Sequence, residues 1–200
     1  MRHLPVILIY FRLLSGLIIL LVSLAQPAIP SAVILTLFTA GLLSDIFDGI
    51  IARRLQVSTE KLRRLDSTAD QVFWICVAIG VLYATPAFFS ENKLRLFILL
   101  GSEALAYIIC YLRFRKEVAT HAISSKLWTL VLFATIAELM VRHDSGILFE
   151  VCFYLGIATR LEIIAILLLL KQWTNDVPSV FHAYRLRKGK PISRHKLFNG

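Results

Sequence analysis

The sequence is poor in charged residues and in cysteine. Only 18% of its 200 residues are charged, whereas a soluble domain of this length carries about 25%. Its three cysteines, Cys76, Cys110 and Cys152, stand singly in apolar segments, with no CxxC or Cys/His spacing. This pattern argues against a zinc site or a disulfide framework, and we interpret the three thiols as small core hydrophobes.

Long uncharged runs take the place of the missing charge. Apolar residues make up 58% of the chain, and no charged residue occurs from Leu13 through Ser44. The segment AQPAIP at residues 25–30 interrupts this run, which predicts two membrane spans joined by a tight proline turn. A second uncharged run extends from Gln71 to Ser90 and predicts the third span. Three further spans are predicted near 94–112, 124–141 and 147–170, so we expect an all-α integral membrane protein with six transmembrane helices.

The placement of lysine and arginine predicts the orientation. With six spans, 17 of these residues fall on the side of both termini and three, Lys93, Arg95 and Arg142, on the other side. Because basic loops remain in the cytoplasm, we expect both termini on the cytoplasmic side. For a bacterial source, the membrane would be the cell membrane or inner membrane. The net charge of +9 follows from this bias and from attraction to anionic membrane lipids, so we expect no nucleic-acid partner. Residues 1–172 are predicted to form the six-span domain and residues 173–200 a basic cytoplasmic tail with a short amphipathic helix.

Four aspartates border the second and third predicted spans. Asp45 and Asp48 are spaced i, i+3, and Asp66 and Asp70 are spaced i, i+4, so each pair shares one helical face. An aspartate at the centre of a span costs about 2.5–3.5 kcal/mol, and four of them require compensation. Carboxylate oxygens suit Mg²⁺ or Mn²⁺, and one divalent ion would leave two negative charges. We therefore predict two ions, in the arrangement that clamps the attacking and leaving oxygens of a phosphoryl displacement.

Two neighbouring residues extend this pattern. Gly49 offers a surface without a side chain, and Arg53, four residues later, shares its face and can meet phosphate oxygens. The alternative is that the aspartates only cap helices or balance nearby basic residues, with Asp66 as the N-cap of the third span. The combination of four aspartates with Gly49 and Arg53 favours the metal site.

The stretch resembles the signature of the CDP-alcohol phosphotransferases, D-x2-D-G-x2-A-R-x8-G-x3-D-x3-D. Seven of its eight positions match with every spacing intact, namely Asp45, Asp48, Gly49, Ala52, Arg53, Asp66 and Asp70. Leu62 replaces the second glycine, and His3 and Ile9 stand where many members have asparagine and threonine. The segment LPVILIYFRL also resembles the first span of the family, with Pro5 and Arg12 at the expected places.

The resemblance implies a fold, substrates and residue roles. The family has six spans with the motif between the second and third, so residues 1–172 would be the catalytic domain. Its members transfer a phosphatidyl or similar group from a CDP-linked donor, most often CDP-diacylglycerol, to an alcohol, and they release CMP. The four aspartates would hold two Mg²⁺ or Mn²⁺ ions, and Asp70 would also be the general base. Gly49, Ala52 and Arg53 would bind the donor, and the family usually forms homodimers.

Two basic residues bear on the acceptor. Lys126 in SSKLWT resembles a Gly-Lys-x-Lys-Thr segment of the family, with Trp128 in place of the second lysine. Arg160 lies about 16 Å inside the sixth predicted span, where an arginine is expensive and is more often functional than not. With both residues available, the predicted acceptor is glycerol 3-phosphate. The alternative for Arg160 is a structural ion pair with Glu103 or Glu138. Arg12 either snorkels to the membrane surface or pairs with an aspartate of the cluster.

Other functions stay open at this point. The same chemistry serves inositol, inositol phosphate or serine as acceptor. A transporter would use intramembrane charges as a coupling path, and a membrane scaffold would bind metal without turnover. A transporter predicts charges spread through several spans and internal repeats, whereas the carboxylates here concentrate at one face and no repeat is visible.

Overall fold

The structure is all-helical in the part of the chain that it describes. This computed structural model describes residues 3–25, 31–55, 59–116, 118, 120 and 122–192, apart from the side chains of residues 53, 60, 61 and 63. Within these residues the helices are α1 (Leu4–Ala25), α2 (Ser31–Arg54), α3 (Glu60–Ala84), α4 (Pro86–Glu91), α5 (Lys93–Phe114), α6 (Ile123–Arg142), α7 (Ile147–Leu169) and α8 (Val180–Arg187).

Six of these helices are long and apolar enough to cross a membrane: α1, α2, α3, α5, α6 and α7. The predicted number of spans is therefore confirmed. The fourth, fifth and sixth spans agree with their predicted limits to within two residues at each end. The predicted proline turn falls on residues 26–30, which lie outside the described residues. A short helix, α8, lies in the predicted tail.

The third span differs from its prediction at both ends. Asp66 is not its N-cap, because α3 begins at Glu60 and its N-cap is Thr59, whose side chain accepts a hydrogen bond from the Leu62 backbone N–H at 3.2 Å. The helix ends at Ala84, although the uncharged run continues to Ser90. Pro86 explains this end, since proline disfavours a helical residue before it and is well suited to begin the next helix, α4.

The chain forms two compact units. The first consists of Met1–Phe88 with Ile136–Asp144, and the second of Phe89–Thr135 with Ser145–Gly200. In the first unit, α1 packs along both α2 and α3, whereas α2 and α3 meet only over a short stretch. Helix α1 is therefore the common partner that sets the positions of the other two.

A phenylalanine of α3 packs against a glycine of α1 and a glycine of α2, so that all three helices meet at one contact. Phe73 of α3 is 1% exposed and stacks on Phe38 of α2 with ring centroids 6.1 Å apart. A Cβ added at Gly41 of α2 would lie 2.5 Å from the Phe73 ring, and one at Gly16 of α1 would lie 3.0 Å from the Phe73 Cα. Further along, a Cβ at Gly80 of α3 would lie 2.9 Å from a side-chain oxygen of α1. The helices approach this closely because the glycines carry no side chain.

The second unit is built on α7. Helices α5 and α8 pack against it around a buried cluster of Ala106, Cys110, Ala122, Ile163, Ile166, Leu167, Leu170, Val177 and Ala183. Another small residue admits a large neighbour here, since a Cβ at Gly156 would lie 2.7 Å from both Leu99 and Trp128. All three cysteines are free and buried, which confirms their interpretation as core residues.

Candidate functional site

The Phe73 contact determines where the polar residues meet. Arg12 lies four residues before Gly16 on α1, Asp45 four residues after Gly41 on α2, and Asp70 three residues before Phe73 on α3. Each residue is thus about one helical turn from the same packing contact and in the same direction along the bundle. The packing of apolar residues in this way brings the charged ones to a common point.

Four aspartates and one arginine form that point. The structure brings together Asp45 and Asp48 of α2 with Asp66 and Asp70 of α3, and we call these four residues the aspartate cup. The Arg12 guanidinium lies among them: Nη1 pairs with Asp45 and Nη2 with Asp66. Nη2 is also 3.5 Å from Asp48 Oδ2, and Nη1 is 3.8 Å from Asp70 Oδ1. Arg12 therefore forms ion pairs with all four aspartates of the cup and does not snorkel towards the membrane surface.

The members of the aspartate cup differ in exposure. The side chain of Asp48 is 3% exposed, whereas those of Asp45, Asp66 and Asp70 are 38%, 38% and 40% exposed. The cup is thus open on one side and closed behind Asp48. Asp48 Oδ2 is buried and accepts no hydrogen bond from the described residues.

The residues fit a hard divalent cation. Ligand oxygens of Asp45, Asp48 and Asp66 all lie within 4.8 Å of one another, and Asp70 stands outside this group of three. Four carboxylates and one guanidinium sum to a formal charge of −3, and the buried Asp48 Oδ2 accepts no hydrogen bond from the described residues. All-oxygen ligands with excess negative charge suit Mg²⁺ or Mn²⁺.

The predicted donor residues follow the first aspartate pair on α2. Ala52 is buried at 8% exposure, and Gly49 is partly buried. The side chain of Arg53 lies outside the described residues. Leu62, at the position where the family signature has glycine, is half-buried in the first turn of α3.

The predicted acceptor residues belong to the second unit. Lys126 is half-buried in the first turn of α6. Arg160 of α7 is 7% exposed and forms an ion pair with Glu103 of α5. Of the two pairings considered for Arg160, the one with Glu103 is confirmed, because α5 packs on α7. Glu138 instead contacts Arg142, one turn away on α6, at 3.0 Å.

Trp128 completes the surroundings of Arg160. The Arg160 Cζ lies 4.3 Å from the Trp128 ring centroid, which is close enough for a cation–π interaction. The Trp128 Nε1–H donates to the Cys152 carbonyl at 3.0 Å and so fixes the ring on α7. In the sequence, Trp128 is distinguished only by its departure from the family segment. No sequence signal places Trp128 beside Arg160, because the two residues belong to different helices.

Six apolar helices and a carboxylate cluster between three of them define an integral membrane protein with an acidic centre that could hold a metal ion. The family follows from comparison with known proteins: the chain belongs to the CDP-alcohol phosphatidyltransferase family, whose sequence model matches residues 2–171. The match covers all six spans and the complete aspartate cup. The chain is thus a membrane-embedded transferase of phospholipid biosynthesis.

A relative from Aquifex aeolicus (strain VF5) is described as a CDP-diacylglycerol--glycerol-3-phosphate 3-phosphatidyltransferase. It is 33% identical over 151 residues, which cover 72% of this chain and 78% of the relative. No solved structure matches the chain.

Proposed function

We propose that this chain transfers the phosphatidyl group of CDP-diacylglycerol to a hydroxyl of glycerol 3-phosphate and releases CMP. The observation that carries the proposal is the convergence of the four aspartates of the family signature on one open cup. The family match supports a CDP-linked donor and an alcohol acceptor. The name of the Aquifex relative supports glycerol 3-phosphate as that alcohol.

The aspartate cup is the proposed site of two divalent ions, Mg²⁺ or Mn²⁺. Asp45, Asp48 and Asp66 supply the closely grouped ligand oxygens, and Asp70 adds a carboxylate at the open side. Bound there, the ions would neutralise negative charge on the pyrophosphate of the donor. The buried Asp48 oxygen, which accepts no hydrogen bond in the described structure, supports this assignment.

Asp70 is the proposed general base. Its side chain is 40% exposed, and it stands outside the tight group of the other three aspartates. The hydroxyl oxygen of the acceptor forms a bond to the phosphatidyl phosphorus, and the P–O bond to CMP breaks. The hydroxyl proton passes to the Asp70 carboxylate, and CMP leaves with the electron pair of the broken bond.

The nucleotide is proposed to lie along the end of α2. Gly49 and Ala52 leave room there, since neither carries a side chain larger than a methyl group. Arg53 is proposed to bind phosphate oxygens of the donor, a role for which the guanidinium fork is well suited.

Lys126 and Arg160 are the proposed cationic partners of the acceptor phosphate. Both lie in the second unit, and Arg160 is held by Glu103 and Trp128 in the structure. A phosphate dianion outweighs the single charge of Glu103, so we propose that it replaces this carboxylate on Arg160. We also propose that the cup faces the cytoplasm, as the lysine and arginine distribution indicates, and that the protein forms a homodimer, as the family resemblance indicates.

The test is release of CMP by the purified full-length protein in detergent micelles. CDP-diacylglycerol and Mg²⁺ are supplied with glycerol 3-phosphate, inositol, inositol phosphate or serine in separate reactions. We expect release with glycerol 3-phosphate alone, and its loss in EDTA or in Asp70→Asn. The control is Asp144→Asn, an exposed aspartate outside the aspartate cup, which should leave the rate unchanged.

Two other outcomes have distinct meanings. Release with a different acceptor would keep the chemistry and replace the substrate. If no acceptor supported CMP release, the proposed transferase activity would be contradicted, and a scaffold that binds metal without turnover would be favoured.

A further inference from the structure

Arg12 is a buried cation at the centre of the aspartate cup, on a helix that carries none of the aspartates. It is 0% exposed, and its two terminal nitrogens face carboxylates of both α2 and α3. The guanidinium therefore bridges two helices that otherwise meet only over a short stretch. A side chain in this position contacts the same carboxylate groups that could hold a metal ion.

The charge of Arg12 is permanent. The guanidinium stays protonated in proteins, and an unpaired charge in an apolar interior is very costly. Arg12 therefore needs the carboxylates as much as they need a cation. The pairings with Asp45 and Asp66 give the guanidinium two carboxylate partners.

Arg12 nevertheless leaves the cup incompletely satisfied. Asp48 Oδ2, the deepest acceptor, lies 3.5 Å from Nη2 without a hydrogen bond, and the Arg12 Nε is also buried without a partner in the described structure. The formal charge stays at −3. The guanidinium thus hydrogen-bonds to the outer carboxylates of Asp45 and Asp66, whereas Asp48 is only at ion-pair distance.

We propose that Arg12 is the resident counter-cation of the aspartate cup and competes with divalent ions for Asp45 and Asp66. Ion binding then requires the guanidinium to leave at least one of these carboxylates. The inference rests on the proposed metal site. It predicts that removal of Arg12 strengthens ion binding. An arginine that only held the carboxylates in place for the ion would have the opposite effect, since its removal would weaken ion binding.

The test measures Mn²⁺ binding to the full-length protein in micelles without substrates, from the electron paramagnetic resonance signal of free Mn²⁺. We expect Arg12→Gln to bind Mn²⁺ at least about tenfold more tightly than the wild type, because a competing cation and its repulsion are removed. In EDTA this variant should melt at a lower temperature, and Mn²⁺ should raise its melting temperature more than that of the wild type. Arg95→Gln, which removes the cation of the Arg95–Glu150 pair in the second unit, is the matched control and should leave the Kd unchanged.

A second variant covers a failure of Arg12→Gln to fold. Arg12→Lys keeps the charge but loses the fork that reaches both α2 and α3, so Mn²⁺ binding should tighten by a smaller factor. A normal Kd in the wild type with equal or weaker binding in the Arg12 variants would overturn the inference alone. Absence of Mn²⁺ binding in the wild type would overturn the proposed metal site and this inference with it.

Discussion

Phe73 of α3 occupies the space that Gly41 of α2 leaves open. The Cβ of an alanine at position 41 would lie 2.5 Å from the Phe73 ring, a distance at which either the ring or one of the two helices must move. Since Asp45 follows Gly41 by one turn and Asp70 precedes Phe73 by nearly one, a movement of either helix changes the geometry of the aspartate cup.

Gly41→Ala is therefore expected to lower the free energy of unfolding by about 1–3 kcal/mol, the usual cost of overpacking, and to lower kcat with it. Thermal unfolding and CMP release measure the two effects. Gly101→Ala is the matched control, because a Cβ at that helical glycine meets nothing within 4 Å. It should be neutral or stabilising by about 0.5–1 kcal/mol. Equal destabilisation by both substitutions would contradict the packing argument.

Asp70→Asn is expected to separate proton transfer from metal binding. Loss of a general base lowers kcat by about 10²–10⁴-fold, and the asparagine oxygen still offers a neutral ligand. Because Asp70 stands outside the group of three aspartates, Mn²⁺ affinity should fall less than in Asp48→Asn. Single-turnover CMP release and Mn²⁺ titration measure the two quantities. An Asp70→Asn enzyme with wild-type kcat would exclude Asp70 as the base.

Leu62→Gly tests the departure from the family signature. The substitution removes a half-buried side chain near the proposed nucleotide site and is expected to lower the KM for CDP-diacylglycerol by about three- to tenfold. The glycine also costs about 1 kcal/mol of helix stability, although the Leu62 backbone N–H keeps its bond to Thr59. Thr59→Ala should cost a similar amount through loss of the cap but leave the KM unchanged. A KM that rises in Leu62→Gly would mean that leucine contacts the donor favourably.

Glu103→Gln tests the replacement of this carboxylate by the acceptor phosphate. Removal of the competing charge is expected to lower the KM for glycerol 3-phosphate, whereas Arg160→Gln should raise it. The melting temperature of Glu103→Gln should fall because Arg160 loses its ion pair. The Glu103 side chain is 39% exposed, so we expect a loss equivalent to about 1–3 kcal/mol. Glu138→Gln, at a surface pair within α6, serves as control. A higher KM in Glu103→Gln would show that Glu103 positions Arg160 for the acceptor.

The sequence was sufficient to predict the six spans and the aspartate cup. Uncharged length determines the spans, and the spacing of aspartates along two helices determines which side chains share a face. The uncharged run does not show where α3 begins, because the first turn of this helix, residues 60–64, is charged. Its actual signal was Thr59, a good N-cap residue placed before that turn.

The partners of the two intramembrane arginines could not be predicted in the same way. Arg12 meets aspartates that follow it by 33 to 58 residues, and this pairing depends on α1 packing against both α2 and α3. The sequence offered two candidate partners for Arg160, namely Glu103 and Glu138. Only the packing of α5 on α7 decides for Glu103, and sequence periodicity carries no information on which helices are neighbours.

The position of Arg12 on the first helix has a consequence for biogenesis. During synthesis α1 leaves the ribosome before any of the carboxylates that neutralise its arginine, so the nascent span must enter the bilayer with an uncompensated cation. On insertion scales this costs about 2.5–3.5 kcal/mol. Helix α1 is also the most apolar of the six spans, which offsets that cost until α2 and α3 arrive. The high hydropathy of α1 thus favours its insertion even before its arginine is paired.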